Sequence, residues 1–121
     1  MRRGHQWQDG SGVLWVPGSE ALSLEIAASR DTRRRGLLGR PGIDGALLIT
    51  RCSGVHTFQM QFTIDVAYLD GDLRVVDVHT LKPGRLGRPR LRARHVLEAE
   101  GGAMAAWGVS KGVRLRVDSS D

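Results

Sequence analysis

Between His56 and His79 the chain reads HTFQMQFTIDVAYLDGDLRVVDVH. Two runs with apolar residues at alternate positions flank Asp70-Gly71, a dipeptide suited to the positive backbone angles of a tight type I′ turn. The pattern predicts a β-hairpin at the centre of a compact domain. A chain built around such a hairpin must bury one face of a sheet, so the other segments are read for strands that extend it.

Several such segments are present. Residues 13–16 form a short apolar run stopped by Pro17-Gly18, and LSLEIAA at residues 22–28 alternates. ALLIT at residues 46–50 reads as a short buried strand, residues 96–99 as another, and VRLRV at residues 113–117 as a last one with its arginines outward. Ser29 or Asp31 offers a helix N-cap before DTRRRGLLGR, a segment with room for two helical turns and with Gly39 as its stop. GAMAAW at residues 102–107 forms a second short helix closed by Gly108. Residues 82–94, KPGRLGRPRLRAR, carry two prolines, two glycines and five arginines between Arg85 and Arg94, and read as a solvated, mobile loop. The expected fold is mainly β: one barrel-like or sandwich-like domain of seven or eight short strands with one or two short helices. It occupies residues 13–117, with residues 1–12 as a flexible N-terminal segment and residues 118–121 as a tail. No repeat or second domain is visible.

The 121 residues suffice for one domain burying roughly two-thirds of its unfolded surface. Aromatics are few, so the core is expected to be Val, Leu, Ile and Ala. The net charge of +5 invites a nucleic-acid reading, but 16 of the 18 basic residues are Arg. Such a ratio often follows GC-rich coding, which discounts part of the basicity as composition. The one cysteine, Cys52, excludes an intrachain disulfide and a multi-cysteine zinc site. The first 12 residues lack the apolar stretch of a secretory signal, and no apolar run reaches the ~18–20 residues of a membrane span. A soluble, cytoplasmic monomer is expected.

Three ordered blocks carry a resemblance. TRRRGLLGR at residues 32–40, RCSGVHTFQMQFTIDVAYLD at residues 51–70 and HVLEAEGG at residues 95–102 resemble the bacterial and archaeal family catalogued as domain of unknown function 192. The match spans roughly residues 13–117. The resemblance implies a β-rich fold and no established activity.

The candidate chemistry centres on charges inside apolar segments. Cys52, His56 and Met60 share one strand parity, but residues four apart on a strand stand about 13 Å apart. One straight strand therefore cannot gather them on a metal ion, and no metal or other cofactor is expected. Cys52, Phe58, Met60 and Phe62 read instead as a buried stripe with His56 at its end. Asp65 sits between Ile64 and Val66, where a carboxylate must be paired; Arg33, Arg35 and Arg40 are the candidate partners. Glu98 lies between Leu97 and Ala99, and alternation turns it either to water or inward. If inward, Asp65, Glu98 and His56 converge with these arginines in a polar pocket. Gly101-Gly102 before the second helix read as a tight turn. The first expectation is therefore a small binding module whose pocket, lined by Arg33, Arg35, Arg40, His56, Asp65 and Glu98, takes a small anion or a partner peptide. The second is an acid–base enzyme using His56 with Asp65 or Glu98. The third is binding of nucleic acid or an acidic protein by Arg85, Arg88, Arg90, Arg92 and Arg94. That loop lacks interleaved aromatics for stacking bases. No nucleophile motif, phosphate-binding glycine loop or zinc-spaced set is present.

Overall fold

The computed structural model describes residues 6–120. Seven strands and two short helices follow in the order β1 (Gly10–Trp15), β2 (Leu22–Ala27), α1 (Arg30–Arg35), β3 (Ala46–Thr50), β4 (Ile64–Leu69), β5 (Val75–Leu81), β6 (His95–Glu100), α2 (Ala103–Trp107) and β7 (Arg116–Ser119). They build one sheet in the order β5-β4-β6-β3-β2-β1-β7. Every pairing is antiparallel except β2 with β3, where α1 lies in the crossover that a parallel pair requires.

The sheet curls without closing. Its outer strands approach only through an isolated bridge between Arg74 and Arg114 and flanking bonds such as Leu115 N–H to Leu73 O at 2.9 Å. The barrel-like expectation is met in curvature, but the ring of strand pairing stays open between β5 and β7.

The central strands are buried on both faces, which explains their near-continuous apolar sequences: all five residues of β3 and all six of β4 are buried. One face gathers Leu14, Leu24, Leu48, Leu69, Leu97 and Leu115, with Met104 of α2 packed on it. The other gathers Leu47, Ile49, Val66, Tyr68 and Val96, covered by Leu37 and partly by Cys52, Val55, Met60 and Phe62. Burial of this aliphatic surface, at roughly 25 cal/mol per Å², drives the fold.

Several local expectations are corrected. β1 begins at Gly10 and β7 ends at Ser119, so part of the expected N-terminal segment and tail is sheet; residues 1–5 and 121 lie outside the described residues. The central hairpin forms between β4 and β5, but its turn is not type I′. The positive φ falls on Leu73, at 65°, and not on Asp70 or Gly71. The Asp70 carboxylate accepts from the N–H groups of Asp72 and Arg74, both at 2.9 Å, and this side-chain capping supports a longer loop. Helix α1, six residues long, ends at Arg35 and so falls slightly short of the two turns expected. Ser29 caps it, and the Asp9 carboxylate accepts from Ala28 N–H, Ser29 N–H and the Thr32 hydroxyl. It stops at Gly36, with φ 48°, ahead of Gly39, and the turn drives Leu37 into the core at 1% exposure.

The largest departure lies at residues 52–62, which form loop and turns rather than strand. Thr57 is fully buried. Its hydroxyl donates to Lys82 O at 2.6 Å and accepts from Arg85 N–H at 2.8 Å. Gln59 takes φ 63°, and Met60 N–H reaches back to Thr57 O at 3.1 Å. The expected buried stripe is thereby broken, and Phe58 is 49% exposed.

Candidate functional site

A cleft of about 90 Å³ opens where the end of α1 and residues 52–60 meet β3 and β6. Its walls are apolar: Leu37, Leu38, Ile49, Val55, Phe58 and Met60 line it. Its polar groups come from four places in the chain. Glu98 rises from β6, opposite Leu47 of β3 and Val66 of β4. Arg33, Arg34 and Arg35 come from the last turn of α1, and Cys52 and His56 from the loop after β3.

Glu98 is 4% exposed, and no described residue donates a hydrogen bond to its carboxyl. Burial alone pushes its pKa from an ordinary 4.5 up to about 7. A Cβ at Gly36 would stand 3.6 Å from Glu98 Oε1, an ordinary contact, so it is the φ of 48° that calls for glycine there. Arg33 donates from Nη1 to Arg51 O at 3.2 Å, while its Nε is buried with no partner among the described residues. Cys52 Sγ donates to Gly54 O at 3.0 Å, and burial pushes its thiol pKa up, with the Glu98 charge adding to the rise. His56 is exposed at the mouth and stacks on Phe58, ring centroids 5.1 Å apart.

The expected constellation is thus half assembled. Arg33, Arg35, His56 and Glu98 share the cleft. Asp65 does not. It projects from the opposite face of the sheet, where its carboxylate accepts from the Thr80 hydroxyl at 2.7 Å, Gly102 N–H at 2.9 Å and Met104 N–H at 3.1 Å. It holds the start of α2 to β4 and β5, so its partners are a hydroxyl and backbone N–H groups instead of the expected arginine. The Gly101-Gly102 turn is accordingly occupied by the protein's own carboxylate. Arg40 also leaves the set, forming a two-pronged pair with Glu25 at 2.8 and 2.9 Å.

The arginine loop is pinned, contrary to the mobile loop expected. Arg90 grips Asp77 through Nε and Nη2, at 3.0 and 2.8 Å, and lies 4.4 Å from the centre of the Tyr68 ring. Arg85, Arg88, Arg92 and Arg94 remain exposed. Sequence reasoning missed Thr57, which fixes the cleft-side loop, because on a strand Thr57 would face outward. It also missed Tyr68 as the seat of Arg90.

Among the described residues, no three His, Cys, Asp or Glu side chains stand together as a metal site requires, and no helix is long and apolar enough to cross a membrane.

Over residues 13–117 the chain matches the family model of domain of unknown function 192, described as "Uncharacterized ACR". It is 48% identical over 50 residues to a UPF0127 protein of Pyrococcus horikoshii, covering 41% of this chain and 44% of that one. It is 35% identical over 95 residues to a UPF0127 protein of Thermococcus kodakarensis, covering 74% of this chain and 60% of that one. The chain thus spans about half the length of these curated relatives. The crystal structure of a protein of unknown function from Novosphingobium aromaticivorans superposes with a TM-score of 0.72 at 18% identity, covering 88% of this chain and 82% of that one, a likeness of fold.

Proposed function

This chain belongs to the DUF192 family, a family without an assigned activity, and on that premise we propose that it is a small binding module whose Glu98 cleft takes a small anionic group. The observation that carries the reading is a pair of unmet polar groups at one apolar cleft. Among the described residues Glu98 presents a carboxyl that accepts no hydrogen bond at the cleft, and Arg33 a buried Nε–H that has no acceptor. Leaving such a group unpaired costs roughly 1–3 kcal/mol, and a ligand that meets both would offset that cost.

Size and charge narrow the class. A cleft of about 90 Å³ is small, so a group the size of a carboxylate or phosphate fits, either free or at the end of a peptide. Arg33, Arg34 and Arg35 make the rim cationic. Glu98 in its acid form donates a hydrogen bond to an anion, and ionised it repels one. Affinity therefore falls as pH rises through about 7.

Amide shifts of the isotope-labelled domain, titrated with acetate, phosphate and a short peptide ending in a free carboxylate, test the reading. Shifts at Gly36, residues 52–60 and Glu98 are expected, weaker above neutral pH and lost in Arg33→Ala. Shifts that avoid the cleft, or that strengthen with pH, would refute it.

A second reading follows from Glu98 alone. A carboxyl titrating near neutrality suits general acid–base work, with Glu98 and His56 in place of Asp65. In the same titration, chemical conversion of an added compound, abolished by Glu98→Gln, would favour an enzyme.

A further inference from the structure

A second concavity lies at the other end of the sheet, where the β4–β5 turn, the end of the arginine loop and the turn before β7 converge. It measures about 760 Å³, and its cations are Arg74, Arg92, Arg94 and Lys111. No salt bridge among the described residues involves any of the four. Its two acids, Asp70 and Asp72, offset only half of that charge. The Asp70 carboxylate is held by the N–H groups of Asp72 and Arg74, and with Asp72 it leaves the lining two charges positive. Arg74 stands across a bridge from Arg114, and its Nη1 donates to Gly112 O at 2.9 Å.

The cleft continues sideways. Arg94 and Gly71 also line an adjoining groove of about 540 Å³, whose far wall carries Arg51, His95 and Trp7. Trp7 is half-buried, packs one side against the core and meets His95 edge-on, ring centroids 5.4 Å apart. A cationic trough leading to an indole is the combination that holds a single strand: cations follow the phosphates and an aromatic ring stacks a base. The arginine loop has no such ring; the fold supplies one from the segment before β1. The two helices, six and five residues long, include none that could fill a major groove.

We infer that the trough running from Lys111 and Arg74 past Arg94 to Trp7 binds single-stranded nucleic acid without sequence preference. Arg92 and Arg94 belong to it; Arg85 and Arg88 do not line it, and Arg90 is committed to Asp77. The site is separate from the Glu98 cleft, although Cys52 lines both the cleft and the groove.

The test is fluorescence anisotropy of a labelled mixed-sequence single-stranded oligonucleotide, with the full chain, across a salt series. At ~0.7 per phosphate neutralised, four cations give a slope of log K against log salt of about −2.8. Replacing Arg92, Arg94 and Lys111 together by Gln should bring it to about −0.7. Arg85→Gln with Arg88→Gln should leave it unchanged. Trp7→Ala should weaken binding about tenfold and Trp7→Phe only two- to threefold or so, since the phenyl ring still stacks. Circular-dichroism melting verifies folding; should Trp7→Ala unfold, Trp7→Phe and the charge variants still decide. No binding at low salt, a slope indifferent to the triple replacement, a stronger affinity for duplex, or equal displacement by polyglutamate at matched charge would each overturn the inference.

Discussion

Glu98 allows the sharpest test, because its burial couples protonation to folding. In the unfolded chain its pKa returns to about 4.5; in the fold it stands at about 7. Between those values the folded state holds the proton more tightly than the unfolded one. Stability is therefore highest below about pH 4.5 as far as this group is concerned, falls as pH rises, and levels off above about pH 7. At ~1.36 kcal/mol per pH unit, the interval corresponds to about 3 kcal/mol. That is a large part of the 5–15 kcal/mol or so that holds a typical domain together. Glu98→Gln keeps the shape and removes the titration. Its amide adds two donors to the site, an offset that does not vary with pH. The readout is thus the difference between the two stability curves from urea unfolding at about pH 5, 6, 7 and 8. The wild-type chain should lose most of the 3 kcal/mol or so relative to the Gln variant across that range. The carboxylates of Glu25 and Asp77, held below their ordinary values by Arg40 and Arg90, titrate below the window. Parallel curves would refute the assignment of Glu98 as a buried, unpartnered carboxyl.

Three further outcomes follow. Asp65→Ala should cost roughly 3–5 kcal/mol in urea unfolding, because the Thr80 hydroxyl and the N–H groups of Gly102 and Met104 lose their common acceptor; Asp65→Asn, which keeps an acceptor oxygen, should cost about half as much. Arg90→Ala should cost about 1–2 kcal/mol through the Asp77 pair and the Tyr68 ring, while Arg92→Ala stays within about 0.5 kcal/mol, a contrast visible in thermal melting. Gly45→Ala should cost well over ~2 kcal/mol, since a Cβ there would stand 2.2 Å from Ser23 O at φ +73°; Gly39→Ala, with open space at φ +82°, should cost only about 1 kcal/mol and serves as the control.

The strands were legible where local pattern and tertiary placement agree. ALLIT is apolar throughout because β3 is covered on both faces, and LSLEIA alternates because β2 is less fully covered. The hairpin was legible as a hairpin, but its turn was not, because the Asp70 side chain caps the loop and shifts the left-handed residue to Leu73. Residues 52–62 misled. Their alternation fits a strand, yet the Thr57 hydroxyl bonds to backbone around residues 82–85, far away in sequence. At the site, alternation left the direction of Glu98 open; only its register with Leu47 and Val66 turns it inward. The same parity places Asp65 on the opposite face, which separates two carboxylates that look equivalent in sequence. The partners of Asp65 and Arg90 are contacts across tens of residues, beyond the reach of spacing rules.

The place of β1 in the sheet has a kinetic consequence. It lies between β2 and β7, with Gly12 opposite Ser119, so one of its neighbours is the last strand of the chain. Pairings this distant raise the contact order, and loop-closure entropy must be met before they contribute. Folding should accordingly fall on the slow, millisecond-to-second side of the range for small domains. During synthesis β1 can pair with β2 early but must wait for residues 116–119 before its other edge is covered. Until then that edge is open to a second nascent copy, and a chain ended before Arg116 would keep it open for good.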